Sequence, residues 1–130
     1  MKDRIKIELG ETNYAGIAKT VKHHIVFDEP ETLGGLDTGM TPNELLLSAL
    51  GSCAAITIKM YAQRKGWDVK EVIAHLDLSK NEDGKTIFTE RFEFIGNLDD
   101  AQKERLLKIA KACPVAKAVT GDSIIESGLV

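Results

Sequence analysis

A thiol does redox or nucleophilic work when it can become a thiolate, when a reactant reaches it and when competing reactions are kept away. This chain has two cysteines: Cys53 closes Gly51-Ser52-Cys53 in an apolar stretch, and Cys113 opens Cys113-Pro114-Val115 sixty residues later. The bland reading is that both are small buried hydrophobes, which unpaired cysteines often are. Their local sequences argue instead for redox chemistry. If Cys113 caps the helix that Pro114 starts, that helix N-terminus makes it an acidic thiol. Cys53 falls about three turns inside its helix, where the dipole gives it little, so it needs a neighbouring cation, hydroxyl or carboxylate. Ser52, Thr57 and Glu44 are the polar groups nearest in sequence. Local physics alone thus ranks Cys113 as the more nucleophilic. Two cysteines make no disulfide framework, so any disulfide in a reducing compartment is transient.

The elements that place these thiols are legible. Thr41-Pro42-Asn43-Glu44 combines an N-cap threonine, a proline at the first helical position and a glutamate that reaches back to the cap. It predicts a helix to about Lys65, stopping at Gly66, with Arg64 and Lys65 in the last turn. Its first four turns are apolar nearly all round, so neighbours should enclose them on several sides, some from a second subunit. Asp99 and Gln102 form another capping pattern, and Leu106, Ala110 and Cys113 share one face of the helix that follows. That helix should turn Cys113 to the core, break before Pro114, and give way to a short helix toward Gly121.

Arg4 to Leu9 alternates apolar and charged residues, and Ala15 to Thr20 and Lys22 to Phe27 continue an antiparallel meander. Residues 28–40, with Pro30, Gly34, Gly35 and Gly39, read as a long loop of the kind that borders sites. Val69 to Leu78 and Thr86 to Ile95 flank a hairpin turn at Asn81-Glu82-Asp83-Gly84, and Ser123 to Val130 offers a last strand. The expected fold is a single α+β domain over residues 1–130, of order β-β-β-α-β-β-α-β, with two helices on a mostly antiparallel sheet.

A length of 130 residues suits one domain, and a formal charge of -3 is too small and too evenly spread for a nucleic-acid surface. The N-terminal residues lack the apolar run of a signal peptide, which points to the cytoplasm. The apolar run from Leu45 to Ile58 is shorter than the ~20 residues a bilayer demands and reads as a buried core helix rather than a membrane span. His23 and His24 on a strand point to opposite faces, and no CxxC or HxxxH spacing supports a metal site. A Cys-His acyl-transfer site would need a base and an orienting group that no motif supplies. Trp67 and Tyr61 read as packing aromatics, and Lys103, Glu104, Lys108 and Lys111 as a solvated helix face.

The run from Gly39 to Cys53 (Gly-Met-Thr-Pro-Asn-Glu-Leu-Leu-Leu-Ser-Ala-Leu-Gly-Ser-Cys), followed by Cys113-Pro114-Val115, resembles the OsmC/Ohr family of osmotically induced and organic-hydroperoxide-resistance proteins. The likeness covers nearly the whole chain and includes the Gly34-Gly35 loop and the eleven-residue step from Pro42 to Cys53. It implies an intertwined α+β homodimer with two central helices and with sites at the subunit interface. It also implies that Cys53, not Cys113, is the peroxidatic thiol. An organic hydroperoxide oxidises Cys53 to a sulfenic acid, Cys113 resolves it as a disulfide, and an external dithiol reduces the disulfide. The resemblance implies no metal and no organic cofactor.

Two features depart from the family pattern. Its hydroperoxide reductases pair the reactive cysteine with an N-terminal arginine and a glutamate directly after the proline. Here Asn43 follows Pro42, and the glutamate is Glu44, about 100 degrees further round the helix. Glu44 is therefore either a catalytic group or the N3 member of the capping box. No arginine stands between Arg4 and Arg64, which leaves Lys19, Lys22, His23 and His24 as candidate cations, none with a guanidinium fork. The sequence supports a thiol peroxidase working through Cys53 and Cys113, or else a non-catalytic relative that binds a small apolar ligand at a dimer interface.

Overall fold

The computed structural model describes residues 5–130, so Arg4 lies outside the described residues. The chain divides into two compact units, one ending at Leu46 and one from Leu47 to Val130. Among the described residues the strand ladders are antiparallel, and with three α-helices this is an α+β fold.

In the first unit, β1 (Lys6–Leu9), β2 (Gly16–Lys19) and β3 (His24–Phe27) form a three-stranded meander in that order. Ile7 faces Ala18, and Ala18 faces Ile25. The loop after β3 contains a short 3-10 turn, Glu31–Leu33, and returns to make an isolated bridge between Met40 and Phe27. Asp28, a residue with no role in the sequence analysis, organises this loop. Its fully buried carboxylate accepts from the backbone N–H groups of Glu29, Leu36 and Thr38 at 2.7, 3.2 and 3.1 Å. It also accepts from the Thr38 hydroxyl at 2.6 Å. That hydroxyl, helped by the backbone donors, holds the Asp28 carboxyl below its usual range despite burial.

α1 (Pro42–Lys65) starts where the capping box predicts. The Thr41 hydroxyl accepts from Glu44 N–H at 3.1 Å, and Glu44 Oε1 accepts from Thr41 N–H at 2.8 Å. The helix ends at Gly66, whose φ is +71°, and the Trp67 N–H bonds back to Ala62 at 2.9 Å. With 24 residues it is long and apolar enough, by length and composition alone, to cross a membrane. Its stripe of Leu50, Ala54, Ile58 and Ala62 is nevertheless buried inside the chain, as in a core helix. Enclosure on all sides is not seen within one chain: Leu46, Ile56 and Met60 are exposed.

The second unit continues with β4 (Glu71–Lys80) and β5 (Thr86–Ile95), a hairpin of two ten-residue strands closed by the predicted turn. α2 (Asp100–Ala110) carries the Asp99–Gln102 capping box, and α3 (Pro114–Thr120) follows after the break. The core joins the α1 stripe to Val69, Leu106, Ala110 and Cys113, with Leu76, Phe88, Phe92 and Phe94 of the hairpin packed on it. Tyr61 and Trp67 meet edge to face at 5.6 Å, and Arg105 donates from Nε to the Tyr61 hydroxyl at 3.0 Å, so these aromatics tie α1 to α2. The expected last strand is absent. Residues 122–130 form neither helix nor strand, and Ile124 and Ile125 are exposed, because an apolar β-pattern becomes a strand only where a neighbouring edge completes its hydrogen bonds.

Candidate functional site

Two helices bring the cysteines together. Cys113, past the end of α2 at the start of α3, is wholly buried with Leu106 and Ala110 of α2, and Cys53 on α1 is half-buried and packed against that cluster. Cys53 lies near enough to Cys113 to raise its pKa. Close approach of α1 to the hairpin depends on Gly51, two residues before Cys53. A Cβ there would stand 2.6 Å from Leu76 Cδ2, so the absence of a side chain lets the helix lie against β4.

α2 ends at Ala110, earlier than the expected break at Cys113; Pro114 starts α3, and Cys113 takes its cap with φ −71° and ψ 148°, its Sγ accepting from Ala116 N–H at 3.3 Å. This cap was expected to make Cys113 the more acidic thiol. The cap does not acidify it: burial pushes the Cys113 pKa up, and Cys53 and Glu90 raise it further, against the single lowering hydrogen bond from Ala116. Desolvation wins because α3 has only seven residues and offers one N–H to a sulfur cut off from water. Cys113 is thus held as a thiol behind a more accessible Cys53.

The other predicted groups are placed as follows. The Ser52 hydroxyl donates to Ala49 O at 3.2 Å and that of Thr57 to Cys53 O at 2.8 Å, so both protons go to helix carbonyls. The Glu44 carboxylate closes the capping box. Lys19 pairs with Glu8, while Lys22, His23 and His24 lie on the β2–β3 turn and strand of the first unit. No group of three His, Cys, Asp or Glu side chains among the described residues could hold a metal ion.

Sequence reasoning missed Glu90. On β5 it shares the half-buried face with Phe88, Phe92 and Phe94, and its Oε1 is buried with no hydrogen-bond partner among the described residues. Burial pushes its carboxyl above the usual range, and the Lys111 ammonium draws it back. The detectable signal was a carboxylate at an inward position of an alternating strand. Beside it lies a cavity of about 250 Å³ lined by Leu50, Phe88, Glu90, Lys111, Ala116 and Val119, among others.

Residues 35–127 match the family described as OsmC-like protein. The chain belongs to the OsmC-like protein family. Solved OsmC-like relatives share its architecture. The OsmC-like protein of Mycoplasma pneumoniae superposes with a TM-score of 0.77 at 22% identity, covering 93% of this chain and 89% of that one. An organic hydroperoxide resistance protein OsmC of Legionella pneumophila gives 0.68 at 17%, covering 93% and 90%. The organic hydroperoxide resistance protein OhrB of Bacillus subtilis gives 0.63 at 19%, covering 94% and 93%. At these identities the likeness establishes the OsmC/Ohr fold. The comparison with curated proteins finds no match.

Proposed function

We propose that this OsmC-like protein is a thiol-dependent peroxidase that reduces organic hydroperoxides to alcohols, as a single domain in a reducing cytoplasm. The observation that carries the proposal is the order of the two thiols: an outer, half-buried Cys53 lies against an inner, fully buried Cys113. A peroxide arriving from solvent meets Cys53 first. Its sulfur attacks the peroxide oxygen, the O–O bond breaks, the alcohol leaves, and Cys53 carries a sulfenic acid. Cys113 then attacks that sulfur, water leaves, and the resulting disulfide is reduced by an external dithiol. Keeping Cys113 protonated until then spares it from direct oxidation.

The wall beside Cys53 is apolar, with Leu46, Leu50 and the rest of α1, and favours an organic over a small polar peroxide. Ile7, Leu9 and Ile25 on the first unit's sheet, and Ile56 and Met60 on α1, stay exposed in a single chain. Apolar surface of that kind suits a homodimer. The names of the Legionella and Bacillus relatives, organic hydroperoxide resistance proteins, agree with this chemistry.

Turnover with a small dithiol as reductant tests the proposal. Faster consumption of an organic hydroperoxide than of hydrogen peroxide, abolished in Cys53→Ser, is the expected result. Equal background rates for the native protein and Cys53→Ser would refute it, and a ligand-binding role would then take its place.

A further inference from the structure

We propose that Glu90 is the proton acceptor for Cys113 when Cys113 closes the disulfide, acting from the small cavity between β5 and the α2–α3 junction. The inference rests on the peroxidase reading above and adds a residue to it. Its observations are independent of that reading. Glu90 is the one charged residue on the inward face of β5, between Phe88 and Phe92. Its buried Oε1 lacks a partner, which is costly unless the oxygen is used. The carboxylate is near enough to Cys113 to act on it electrostatically, and the cavity it lines also borders Ala116, whose N–H holds the Cys113 sulfur.

The charged and titratable groups around it are Lys111, Cys113 and, beyond that, Cys53. Lys111 keeps the carboxylate available as an anion, while burial raises its basicity toward that of a thiol, the direction a general base needs. The Glu90 carboxylate disfavours the Cys113 thiolate, so Cys113 gives up its proton only as its sulfur bonds to Cys53. In that step Cys113 S–H passes its proton to Glu90. The Cys113 sulfur bonds to the Cys53 sulfur, the S–O bond of the sulfenic acid breaks, and Glu90 returns the proton to the departing hydroxide as water. The Cys53 sulfur is reduced and the Cys113 sulfur oxidised by one level each, with no net proton uptake.

Glu90→Gln separates this role from simple repulsion by the sign of its effect. Disulfide closure is followed in single turnover by intact mass after Cys53 is loaded in either of two ways, with an organic hydroperoxide or with diamide, a thiol-selective oxidant. A general base contributes roughly 100-fold or more, so closure should slow by about that factor with both oxidants, and Glu90→Asp should recover part of it. Loading of Cys53 should change less than about 2-fold, since the charge removed faces Cys113. If Glu90 only repelled the thiolate, Glu90→Gln would make Cys113 more acidic and closure faster. Unchanged or faster closure overturns the proposal. Native protein that closes with diamide but ignores hydroperoxide refutes the peroxidase reading instead, and the diamide comparison still decides the role of Glu90.

Discussion

Replacing Cys113 with serine separates the structural and chemical roles of the inner thiol. The site is fully buried, so a hydroxyl placed there costs about 1–3 kcal/mol. Serine is also the better N-cap, and accepting the Ala116 N–H that now meets sulfur at 3.3 Å returns about 1 kcal/mol. The net penalty is about 0–2 kcal/mol, a fall in Tm of at most about 8 °C for a chain of this length, so the variant should fold. Its chemistry should change completely. A serine hydroxyl does not displace the oxygen of a sulfenic acid, so a stoichiometric pulse of organic hydroperoxide should leave Cys53 with one added oxygen. Dimedone should trap that species, and excess hydroperoxide should drive it to the sulfinic acid. Intact mass reads each state. The reasoning fails if Cys53 of the folded variant emerges unmodified, or if the native protein accumulates the same trappable species.

Two further predictions concern the loop that Asp28 organises. At Gly35 a Cβ would lie 2.0 Å from Glu29 O and 2.5 Å from its carbonyl carbon, backbone atoms that cannot rotate away, so Gly35→Ala should destabilise by at least the ~1–3 kcal/mol typical of overpacking, read as a lower Tm. Because the Asp28 pKa is lowered in the fold, its contribution is present above 3.8 and is lost as pH falls through the folded value; the Tm gap between native protein and Asp28→Asn should therefore be widest near neutrality and close below about pH 4.

What the sequence made legible was local. Thr41, Pro42 and Glu44 announced α1 because a capping box satisfies its own backbone groups within four residues. Pro114 announced the break after α2, and the spacing of Leu106, Ala110 and Cys113 announced which face is buried. Misjudgements arose where a distant partner decides. The cap at Cys113 formed, but its acidifying effect lost to burial supplied by α1 and the hairpin. Asp28 draws on donors eight and ten residues away, and only the closed loop brings them in. Residues 123–130 carry a strand pattern, yet no edge among the described residues pairs with them. Glu90 was visible in the alternation of β5 but gained meaning only beside Cys113 and Lys111.

The central claim, that Cys53 and Cys113 form one redox unit, is tested most directly by free-thiol titration and intact mass of the reduced native protein. Both are taken before and after a stoichiometric pulse of organic hydroperoxide, with hydrogen peroxide in parallel. The account predicts rapid loss of both thiols with a mass lower by two hydrogens, faster with the organic peroxide. Two thiols surviving the pulse at unchanged mass would contradict it.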